Sequence, residues 1–381
     1  MATRPEDASA QHEGPRGLCA VVLAAGEGTR MRSERPKPLH RLCGRSMVLH
    51  VLHAVAEVNP ARVVVVVGHG AERVTKAVGE QPPAELPIDF VEQRIQRGTG
   101  DAVLVALTAF PDDEEVDDGG DIIVLPGDTP LLRAPTLAAL VRTHRQAGAA
   151  ATVLTARLAD PRGYGRIVRD RSGRVSRIVE QADANAEELA VDEINTSIYV
   201  FRRSVLAPAL RRLSPDNVQG EFYLTDTISV LHDAGYPVTS MVVDDPMEAA
   251  GVNDRAQLAV AEAELRDRIN ERWMRRGVTM IDPERTYLDT TVELAADVVV
   301  YPGTMLQGRT VVASGAEIGP NVQLADCIVG ERAVVTATVA RAATIGADAR
   351  VGPWADLPAG TRISDGQVTG ACFTGWRQEA P

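Results

Sequence analysis

A six-residue period in the C-terminal part of the chain restricts the fold more than any other feature of the sequence. Aliphatic residues recur at this spacing in two runs, Leu294, Val300, Leu306, Val312, Ile318 and Leu324, and then Ile345, Val351, Leu357 and Ile363. The period predicts a triangular coil in which each hexapeptide forms one short face of a parallel β-helix, with about a dozen hexapeptides in about four coils. Chance alternation in an Ala/Val-rich segment is the alternative, and the presence of two runs argues against it. Between Leu324 and Ile345 the register slips, which predicts a loop or a shortened turn.

The chain before this repeat alternates short β-branched runs with segments of helical period. This alternation is typical of an α/β domain with a mostly parallel sheet and helices on both faces. The early strands are expected at residues 19–24, 62–67, 88–92 and 122–125, and helices at 47–58, 101–110 and 135–145. Later strands at 152–156, 166–168, 175–180 and 197–201 crowd together, which suggests antiparallel insertions over the sheet. Residues 253–276, rich in Ala, Glu and Arg without Pro or Gly, predict one long helix that joins two domains.

The composition limits the class of protein. With 381 residues, 45% apolar and 24% charged, the chain is long enough for about two domains with cores of their own. The net charge of −12 argues against non-specific binding of nucleic acid. The longest apolar run, residues 63–67, is far shorter than the roughly 18 residues of a membrane-spanning helix.

The cysteines and the N-terminus indicate the compartment. Four cysteines occur without C-x-x-C spacing, so neither a disulfide framework nor a zinc site is expected. Residues 1–17 are polar and lack the apolar core of a secretory signal, and we expect them to be a loose extension. A reducing, cytoplasmic location follows from both observations.

A glycine loop follows the first predicted strand and carries the strongest chemical signal. It reads L-A-A-G-E-G-T-R-M over residues 23–31, with Lys37 shortly after it. Ligands of open α/β sheets bind beyond the carboxyl ends of the strands. Gly26 and Gly28 would let backbone N–H groups approach a polyphosphate, with Arg30 and Lys37 supplying positive charge. The alternative is a tight strand-to-helix turn with two solvated cations, since neither a dinucleotide fingerprint nor a Walker loop is present.

A carboxylate follows the strand at 122–125, in the sequence Pro126-Gly127-Asp128. Its position places Asp128 at the same edge of the sheet as the glycine loop. Magnesium prefers oxygen ligands and one or two protein groups together with substrate phosphates, so Asp128 could hold this metal. The alternative is a strand-end Asp that caps the following turn.

Further motifs follow in order, and together they resemble one family. They are Q-R-G-T-G (96–100), P-G-D-T-P-L (126–131), G-Y-G-R (163–166), I-V-E-Q (178–181), E-I-N-T (193–196), G-E-F-Y-L-T-D (220–226) and G-V-N (251–253). With the glycine loop, they resemble the bacterial bifunctional N-acetylglucosamine-1-phosphate uridylyltransferases and glucosamine-1-phosphate acetyltransferases, over about residues 18–365. The resemblance implies a Rossmann-like nucleotidyltransferase domain at 18–252, a linker helix at 253–280, a truncated left-handed β-helix of hexapeptide repeats at 281–368 and a tail at 369–381.

The resemblance also implies roles for individual residues. Arg30 and Lys37 would act on the triphosphate as catalytic groups, and Asp128 and Asn253 would bind Mg²⁺. The nucleotide would be bound by Leu23, Ala25, Gly26, Gly28, Gln93, Gln96, Gly98 and Thr99, of which the last four face the uracil. The sugar would be bound by Gly165, Glu180, Asn195, Tyr223 and Thr225. Without the resemblance, Glu180 could be a strand-edge carboxylate, Asn195 a turn residue, and Gln93 and Gln96 surface amides.

The reaction that the resemblance implies joins UTP and N-acetyl-α-glucosamine 1-phosphate into UDP-N-acetylglucosamine and pyrophosphate. An ionised phosphate oxygen attacks the α-phosphorus and pyrophosphate leaves in line, so positioning and charge neutralisation supply most of the catalysis. No covalent nucleophile or general base is required. No nucleic acid or membrane partner is expected. A stacked coil cannot easily cover its own ends or sides, which favours a homo-oligomer, a trimer by resemblance.

Three motifs depart from the family pattern. G-T-G-H-A becomes G-T-G-D-A, and we expect Asp101 to cap the helix that follows, with a carboxylate near the nucleotide as the alternative. N-T-G becomes N-T-S at Ser197, which could alter the sugar pocket. A-R-L-R-P-G becomes A-D-L-P-A-G at residues 355–360, without the arginines, so acetyl transfer is expected to be absent.

Two alternatives to this function stay open. One is the same chemistry on another sugar phosphate or cyclitol phosphate. The other is an inactive regulatory or scaffold homologue, which the four residues Arg30, Lys37, Asp128 and Asn253 argue against. The tail, with Cys372, Phe373 and Trp376, is expected to pack on the last coil.

Overall fold

The computed structural model of the chain describes residues 17–84, 86–110 and 120–375. Nearly all of the expected N-terminal extension, and Trp376 in the tail, lie outside the described residues. The chain divides into two compact units. Among the described residues, the first unit comprises those up to Leu39 and those within Val48–Gly251, and the second comprises His40–Met47 and those from Val252 to residue 375.

The elements up to residue 251 follow the predicted alternation. The strands are β1 (Leu18–Ala24), β2 (Arg41–Leu42), β3 (Arg45–Ser46), β4 (Arg62–Val67), β5 (Ile88–Glu92), β6 (Asp121–Pro126), β7 (Ala151–Arg157), β8 (Arg166–Arg169), β9 (Val175–Val179), β10 (Glu193–Arg202) and β11 (Val238–Val242). The α-helices are α1 (Met47–Ala56), α2 (Ala71–Glu80), α3 (Thr99–Leu107), α4 (Ala134–Gln146), α5 (Ala186–Leu189), α6 (Arg203–Leu210) and α7 (Asp226–Asp233).

The first unit is built on one sheet, whose main path runs β11-β7-β10-β6-β1-β4-β5. Strand β1 lies between β4 and β6 and is parallel to both, while β10 runs antiparallel to β6 and β7. The predicted mostly parallel sheet is therefore confirmed. The expectation that all the later strands form an insertion is wrong for β7 and β10, which are members of the sheet because their residues are almost entirely buried. Strands β8 and β9 form an antiparallel pair that joins β10 through the single pairing of Arg166 with Ile194.

Helices cover both faces of the sheet. Strand β4 is buried from Val63 to Val67, as expected of a central parallel strand, which is covered on both sides. Val63 and Val65 pack in one apolar cluster with residues of α1, and Val64 and Val66 pack in another with residues of α3, α6 and α7. Polar residues that act on a ligand are thereby confined to the strand ends, where the carboxyl ends of the parallel strands β1, β4, β5 and β6 share one edge.

The second unit is the predicted parallel β-helix. Its strands are β12 (Thr279–Met280), β13 (Thr286–Leu288), β14 (Glu293–Leu294), β15 (Val299–Val300), β16 (Thr304–Gln307), β17 (Val311–Val312), β18 (Glu317–Ile318), β19 (Gln323–Ala325), β20 (Ile328–Val329), β21 (Val334–Val335), β22 (Val339–Arg341), β23 (Thr344–Ile345), β24 (Arg350–Val351), β25 (Asp356–Leu357) and β26 (Arg362–Ile363). They form three parallel sheets of five strands each, one more strand per face than the four coils expected.

The slip in the repeat is caused by shortened turns. After Leu324 the next buried aliphatic position is Val329, a step of five residues instead of six, and two more such steps lead from Val335 through Ala340 to Ile345. The strands stay paired in parallel throughout this stretch. Of the two expectations for this region, the shortened turn is therefore confirmed and the loop is wrong. Phe373 of the tail packs against the coil interior, as expected.

One long helix belongs to the second unit, α8 (Arg255–Met274), in the place where the composition predicts it. The Asp254 side chain caps its first turn by accepting a hydrogen bond from the Gln257 N–H at 2.8 Å. Ile269 and Trp273 pack against the interior of the coil, and the hairpin of β2 and β3 adds Cys43 to the same cluster. In the described parts of the chain, no helix is long and apolar enough to cross a membrane.

Candidate active site

The two glycines of the loop after β1 differ in their surroundings: Gly26 faces open space, whereas Gly28 is in close contact with Lys37. A Cβ atom added at Gly26 would meet no atom within 4 Å. Gly28 has φ +66°, and a Cβ atom there would lie 2.5 Å from the Cβ atom of Lys37. Only glycine therefore allows Lys37 to approach the loop. A short 3-10 helix, Thr29–Met31, follows and carries Arg30 in an exposed position.

Lys37 and Asp128 form an ion pair at this edge of the sheet. The end of β6 is held next to β1 because the Gly127 N–H donates to the Leu23 carbonyl at 2.8 Å. The ammonium group of Lys37 contacts Oδ2 of Asp128, and the two side chains are 14% and 24% exposed. Among the described residues, no backbone N–H donates to Asp128, so its carboxylate does not act as the turn cap considered above. Burial and the negative charge of Asp128 raise the pKa of Tyr164, which places that phenol near the pair.

The residues expected at the uracil follow β5. Gln93 is buried and its Nε2 donates to Oδ2 of Asp101 at 2.9 Å and to the Gly98 carbonyl at 3.1 Å. Gln96 is exposed, but its Nε2 donates to the Ala25 carbonyl at 2.7 Å, which ties this segment to the glycine loop. Gln93 is therefore not a surface amide.

The expectation for Asp101 is wrong, because the helix begins earlier than the sequence suggests. Gly98, with φ +109°, occupies the N-cap position of α3, and Asp101 is the third helical residue. Its buried carboxylate accepts hydrogen bonds from Gln93 and, at 2.7 Å, from Nη2 of Arg97. Asp101 thus fixes the orientation of the Gln93 amide.

The segment 220–226 packs against the segment 96–100 through its backbone. The Phe222 N–H donates to the Arg97 carbonyl and the Gly100 N–H donates to the Phe222 carbonyl, both at 2.8 Å. The hydroxyl of Thr99 accepts from the Leu224 N–H at 3.0 Å. A Cβ atom at Gly98 would lie 2.6 Å from the Phe222 carbonyl oxygen, so glycine is required for this contact.

The sugar-binding candidates lie directly before β8, directly after β9, on β10 and in the segment before α7. The hydroxyl of Thr225 donates to Oε1 of Glu180 at 3.2 Å, and a Cβ atom at Gly165 would lie 3.3 Å from Oε2 of Glu180. The Asn195 N–H donates to the Gly165 carbonyl at 2.9 Å. Tyr223 is buried immediately before Leu224 and Thr225. The structure therefore brings four of the five candidates into direct or neighbouring contact.

Asn195 is a strand residue and not a turn residue. Its Nδ2 donates to the Tyr199 hydroxyl at 2.8 Å, and its Oδ1 accepts from the Ser197 N–H at 3.0 Å. The register of β10 shifts between Asn195 and Ile198, and Ser197 takes φ +61° within this bulge. A positive φ strains a residue that has a Cβ atom, whereas glycine adopts it without that strain, so Ser197 is held in an unfavourable backbone conformation.

The electrostatics of this cluster suit a neutral polyhydroxylated ligand. Burial raises the pKa of Glu180 by more than its hydrogen bond from Thr225 lowers it, and the charges of Asp226 and Asp183 raise it further. Burial and the charge of Asp183 also raise the pKa of Asp226. These carboxylates accept hydrogen bonds from hydroxyl and amide groups but repel phosphate. A phosphate group would be attracted instead toward Arg30 and Lys37.

A magnesium site fits the chemistry of Asp128. Its partly exposed carboxylate already faces a cation, the Lys37 ammonium, and a hard divalent ion takes such oxygen ligands. Where the structure describes the chain, no three His, Cys, Asp or Glu side chains are grouped as a metal site. The remaining ligands would have to be amide oxygens, water or substrate phosphates. Asn253 belongs to the second unit, and its pairing with Asp128 stays a prediction.

The sequence profile of a family described as nucleotidyl transferase matches residues 19–273. The chain belongs to this nucleotidyl transferase family. It is also similar to several bifunctional GlmU proteins. The identity is 49% over 331 residues with that of Thermobifida fusca, covering 87% of this chain and 68% of the relative. It is 49% over 349 residues with that of Streptomyces avermitilis (91% and 71%) and 45% over 356 residues with that of Mycobacterium tuberculosis (93% and 71%).

Three features of this nucleotidyl transferase were missed from the sequence. Tyr164 lies within the G-Y-G-R motif, but nothing in the sequence indicates that its phenol is near Asp128. Gly68, at the end of β4, allows close approach of the glycine loop, since a Cβ atom there would lie 2.7 Å from the Ala25 carbonyl oxygen. A glycine directly after a predicted parallel strand was an available signal. The third feature, Asp101 as the partner of Gln93, required the start of α3 to be known.

Proposed function

We propose that this nucleotidyl transferase makes UDP-N-acetylglucosamine and pyrophosphate from UTP and N-acetyl-α-glucosamine 1-phosphate, with Mg²⁺. The observation that carries the proposal is the Lys37–Asp128 ion pair beside the open glycine loop, where three parallel strands end. The acidic, hydroxyl-binding cluster around Glu180 supports a sugar as the second substrate.

Each group of residues has a separate task in this reaction. The backbone of the loop, Arg30 and Lys37 would hold the triphosphate and oppose the repulsion between the two phosphate substrates. The cluster around Glu180 would orient the sugar so that its phosphate oxygen lies in line with the α-phosphorus. Magnesium, held by Asp128 and Asn253, would supply neutralisation of phosphate charge. No proton transfer is needed, because the attacking phosphate is already ionised near neutral pH.

The hydrogen bonds of Gln93 favour a uracil base. A carboxylate is only an acceptor, so the Gln93 Nε2 must face Asp101, and its second hydrogen is used by the Gly98 carbonyl. Only the acceptor Oε1 is then left for a ligand. Uracil offers an N3–H donor, whereas N3 of cytosine is an acceptor. Asp101 would thus act as a positioning residue for base selection.

The base assignment can be tested by changing Asp101 alone. In Asp101→Asn the partner of Gln93 can present either a donor or an acceptor, and the amide is free to turn over. We expect the preference for UTP over CTP, as a ratio of kcat/KM, to fall about tenfold, the value of one neutral hydrogen bond. Arg94→Ala, which removes an exposed charge from the same segment, is the control. An unchanged preference in Asp101→Asn would remove the positioning role.

The substrate assignment is tested by a panel of UTP, CTP, dTTP, GTP and ATP with several sugar 1-phosphates and cyclitol phosphates, scored by pyrophosphate release. The proposal predicts the highest kcat/KM for UTP with N-acetylglucosamine 1-phosphate. Ser197, beside Asn195, is the observation that favours the alternative of another sugar or cyclitol phosphate. A different best acceptor would establish that alternative. Absence of UTP binding at saturating Mg²⁺ would contradict the proposed activity altogether and favour a regulatory homologue.

We also propose that acetyl transfer is absent. Residues 355–360 lack the two arginines of the family pattern, and Asp356 takes one of these places. The test is release of free coenzyme A from acetyl-CoA in the presence of glucosamine 1-phosphate, with uridylyl transfer in the same sample as the positive control. Acetylation at a rate comparable to uridylyl transfer would contradict this proposal.

A homo-oligomer, with a trimer as the expected size, is proposed on the surface of the coil. Tyr287, Met305, Gln323 and Val339 occupy successive outward positions of the sheet β13-β16-β19-β22-β25, and three of the four are apolar. A stacked apolar row on an exposed face fits contact with a second copy of the chain. Sedimentation of the wild type and of Val339→Glu tests it, and a monomeric wild type contradicts it.

A further inference from the structure

A large groove in the second unit is lined by four arginines. Its volume is about 1050 Å³, and the arginines come from three parts of the unit. Arg45 lies in β3, Arg272 lies in the last turn of α8 and Arg276 follows that helix, and Arg309 lies between β16 and β17. None of these residues has a part in the proposed uridylyl transfer.

The four arginines lack the carboxylate partners that other arginines of the same helix have. Arg268 and Arg275 of the α8 region pair with glutamates one turn earlier, at 2.8 and 2.7 Å. Among the described residues, no carboxylate forms an ion pair with Arg45, Arg272, Arg276 or Arg309. Glu293 also lines the groove, so the lining keeps a net positive charge. The whole chain has a net charge of −12, which makes this concentration of positive charge unusual for the protein.

The positive groups are held close together on a rigid support. Trp273 is only 7% exposed, and the guanidinium carbons of Arg272 and Arg276 lie 5.2 and 5.5 Å from the centres of its ring system. Burial and the charge of Arg272 lower the pKa of Arg45, and burial and the charge of Arg276 lower that of Arg272. Like charges held together without a counter-charge reduce stability, and a bound anion would remove that repulsion.

Uncharged groups of the lining are also without partners. The Thr290 hydroxyl and the Trp273 indole N–H are both buried in the lining of the groove, and no described residue forms a hydrogen bond with either of them. Val311 and Ala313 supply an apolar part of the wall. The groove therefore offers guanidinium donors, an available hydroxyl and an apolar surface within a volume that is typical of small-molecule sites.

We propose that this groove binds a small phosphorylated molecule, whose phosphoryl oxygens are held by the guanidinium groups of Arg45, Arg272, Arg276 and Arg309. Arginine is suited to this because its planar fork donates two parallel hydrogen bonds to a phosphate. The limited volume and the acidic remainder of the protein favour a small ligand over nucleic acid. This site is additional to the proposed uridylyl transfer and does not depend on it.

Trp273 provides a local signal for the experiment. In the full chain with Trp354→Phe and Trp376→Phe, Trp273 is the remaining tryptophan, since the sequence contains three. Inorganic pyrophosphate is added in the absence of divalent ions while tryptophan fluorescence is recorded. A saturable change in fluorescence is expected. No saturable change at millimolar pyrophosphate would overturn the proposal.

Paired substitutions locate the binding. Arg45→Ala with Arg309→Ala leaves the contacts with Trp273 in place and should weaken pyrophosphate binding at least about tenfold, the value of one charge-assisted hydrogen bond. The control is Arg341→Ala with Arg362→Ala, which changes the net charge equally. Arg362 lies on β26, three strands beyond β17 in the same sheet and about 14 Å away at the usual spacing. Equal weakening in both pairs would mean a general charge effect and would overturn the proposal.

One further variant separates this site from the one in the first unit, and one further probe tests the class of ligand. Lys37→Ala should keep the Trp273 signal, while UTP turnover is lost. If instead Lys37→Ala abolishes the signal and the Arg45/Arg309 pair retains it, pyrophosphate binds only at the first unit. A single-stranded oligonucleotide that binds through Arg45 and Arg309 more tightly than pyrophosphate would overturn the assignment to a small ligand. Circular dichroism melting checks that each variant is folded.

Discussion

The two units use their residues in opposite ways. In the first unit, strands such as β4 are buried on both sides and the functional side chains stand at the strand ends, each in a position that no other residue shares. In the second unit, each short strand of the coil contributes a buried aliphatic residue, and the equivalent position is repeated from one turn to the next. The site of the first unit therefore depends on individual side chains, whereas the coil depends on a buried position that is repeated along the sequence.

This difference predicts which property a substitution changes. A substitution at a strand end of the first unit should alter turnover with little effect on folding, because the side chain is largely outside the apolar clusters. A substitution inside the coil should alter the free energy of unfolding with little effect on turnover. Loss of turnover from a substitution in the coil, or loss of stability alone from one at a strand end, would contradict this difference between the units.

The largest effect is expected for Asp128→Ala. The substitution removes a proposed metal ligand and the partner of Lys37, and uridylyl transfer should fall by at least about 10³-fold, since a metal supplies several kcal/mol of charge stabilisation. The far-ultraviolet circular dichroism spectrum should be unchanged. Asp89→Ala, at a half-exposed carboxylate of β5, is the control and should keep its turnover. Turnover of Asp128→Ala within about tenfold of the wild type would be incompatible with the metal assignment.

The next effect is expected inside the coil, for Leu324→Ala. Leu324 is fully buried in the stack, and its truncation should lower the free energy of unfolding by about 2–4 kcal/mol through lost burial and a residual cavity. Urea unfolding followed by circular dichroism measures this change. Gln323→Ala, the outward neighbour on the same strand, should change stability by less than about 0.5 kcal/mol. The KM for UTP should be unchanged in both variants, and a raised KM in Leu324→Ala would show that the coil affects the site.

A matched pair of glycines compares the units directly. Gly28 and Gly366 both have φ +66°, so each Gly→Ala substitution carries a similar backbone cost of about 1–2 kcal/mol. At Gly366 the added Cβ atom meets nothing within 4 Å, whereas at Gly28 it would displace Lys37. Both variants should lose similar stability, but only Gly28→Ala should lose UTP turnover, by about 10–100-fold for a displaced triphosphate ligand. Turnover lost equally in both would mean that the loss follows stability alone.

The sequence predicted most of what depends on periodicity. The run of valines in β4 predicts a strand that is buried on both faces, and the six-residue period predicts the stacking of the coil. Both architectures were therefore predicted. The number of strands per face was not, because the five-residue steps between Leu324 and Ile345 hide rungs from a search at a period of six. The hairpin of β2 and β3 was missed because its few residues join the second unit from an early part of the chain.

The candidate site could be predicted where a motif's place at the end of a strand shows which other residues lie near it. The neighbourhood of Lys37 and Asp128 followed from the shared edge of parallel strands. The partnership of Gln93 and Asp101 did not, because it depends on where α3 begins, and the capping preference placed the N-cap at Asp101, three residues after the observed N-cap Gly98. The cluster of Gly165, Glu180, Asn195 and Thr225 came from resemblance alone, since these residues are brought together by an antiparallel pair whose register the sequence does not reveal.

The smallest expected effect concerns Glu180, where the first unit itself combines stability and function. Because burial raises the pKa of Glu180 in the folded protein, the folded state holds this proton at a pH where the unfolded chain has released it. The contribution of this proton to the free energy of unfolding is fully present below the ordinary pKa of glutamate. It is lost as the pH rises through the raised pKa of Glu180 in the folded state. Glu180→Gln, which stays neutral, should therefore match the wild type in stability near pH 4 and be more stable than the wild type at pH 7.

Two measurements decide whether this explanation of Glu180 is correct. Urea unfolding between pH 4 and 8 gives the difference in stability, and Glu187→Gln, at an exposed carboxylate of α5, is the matched control. At pH 7 the Glu180→Gln variant should also show a raised KM for the sugar phosphate and an unchanged KM for UTP. A variant that is more stable yet binds the sugar less well would show that the buried carboxylate is maintained for recognition and at the expense of folding. A variant that is less stable at every pH would show instead that Glu180 is a structural member of the strand edge, as its position on the sequence alone allows.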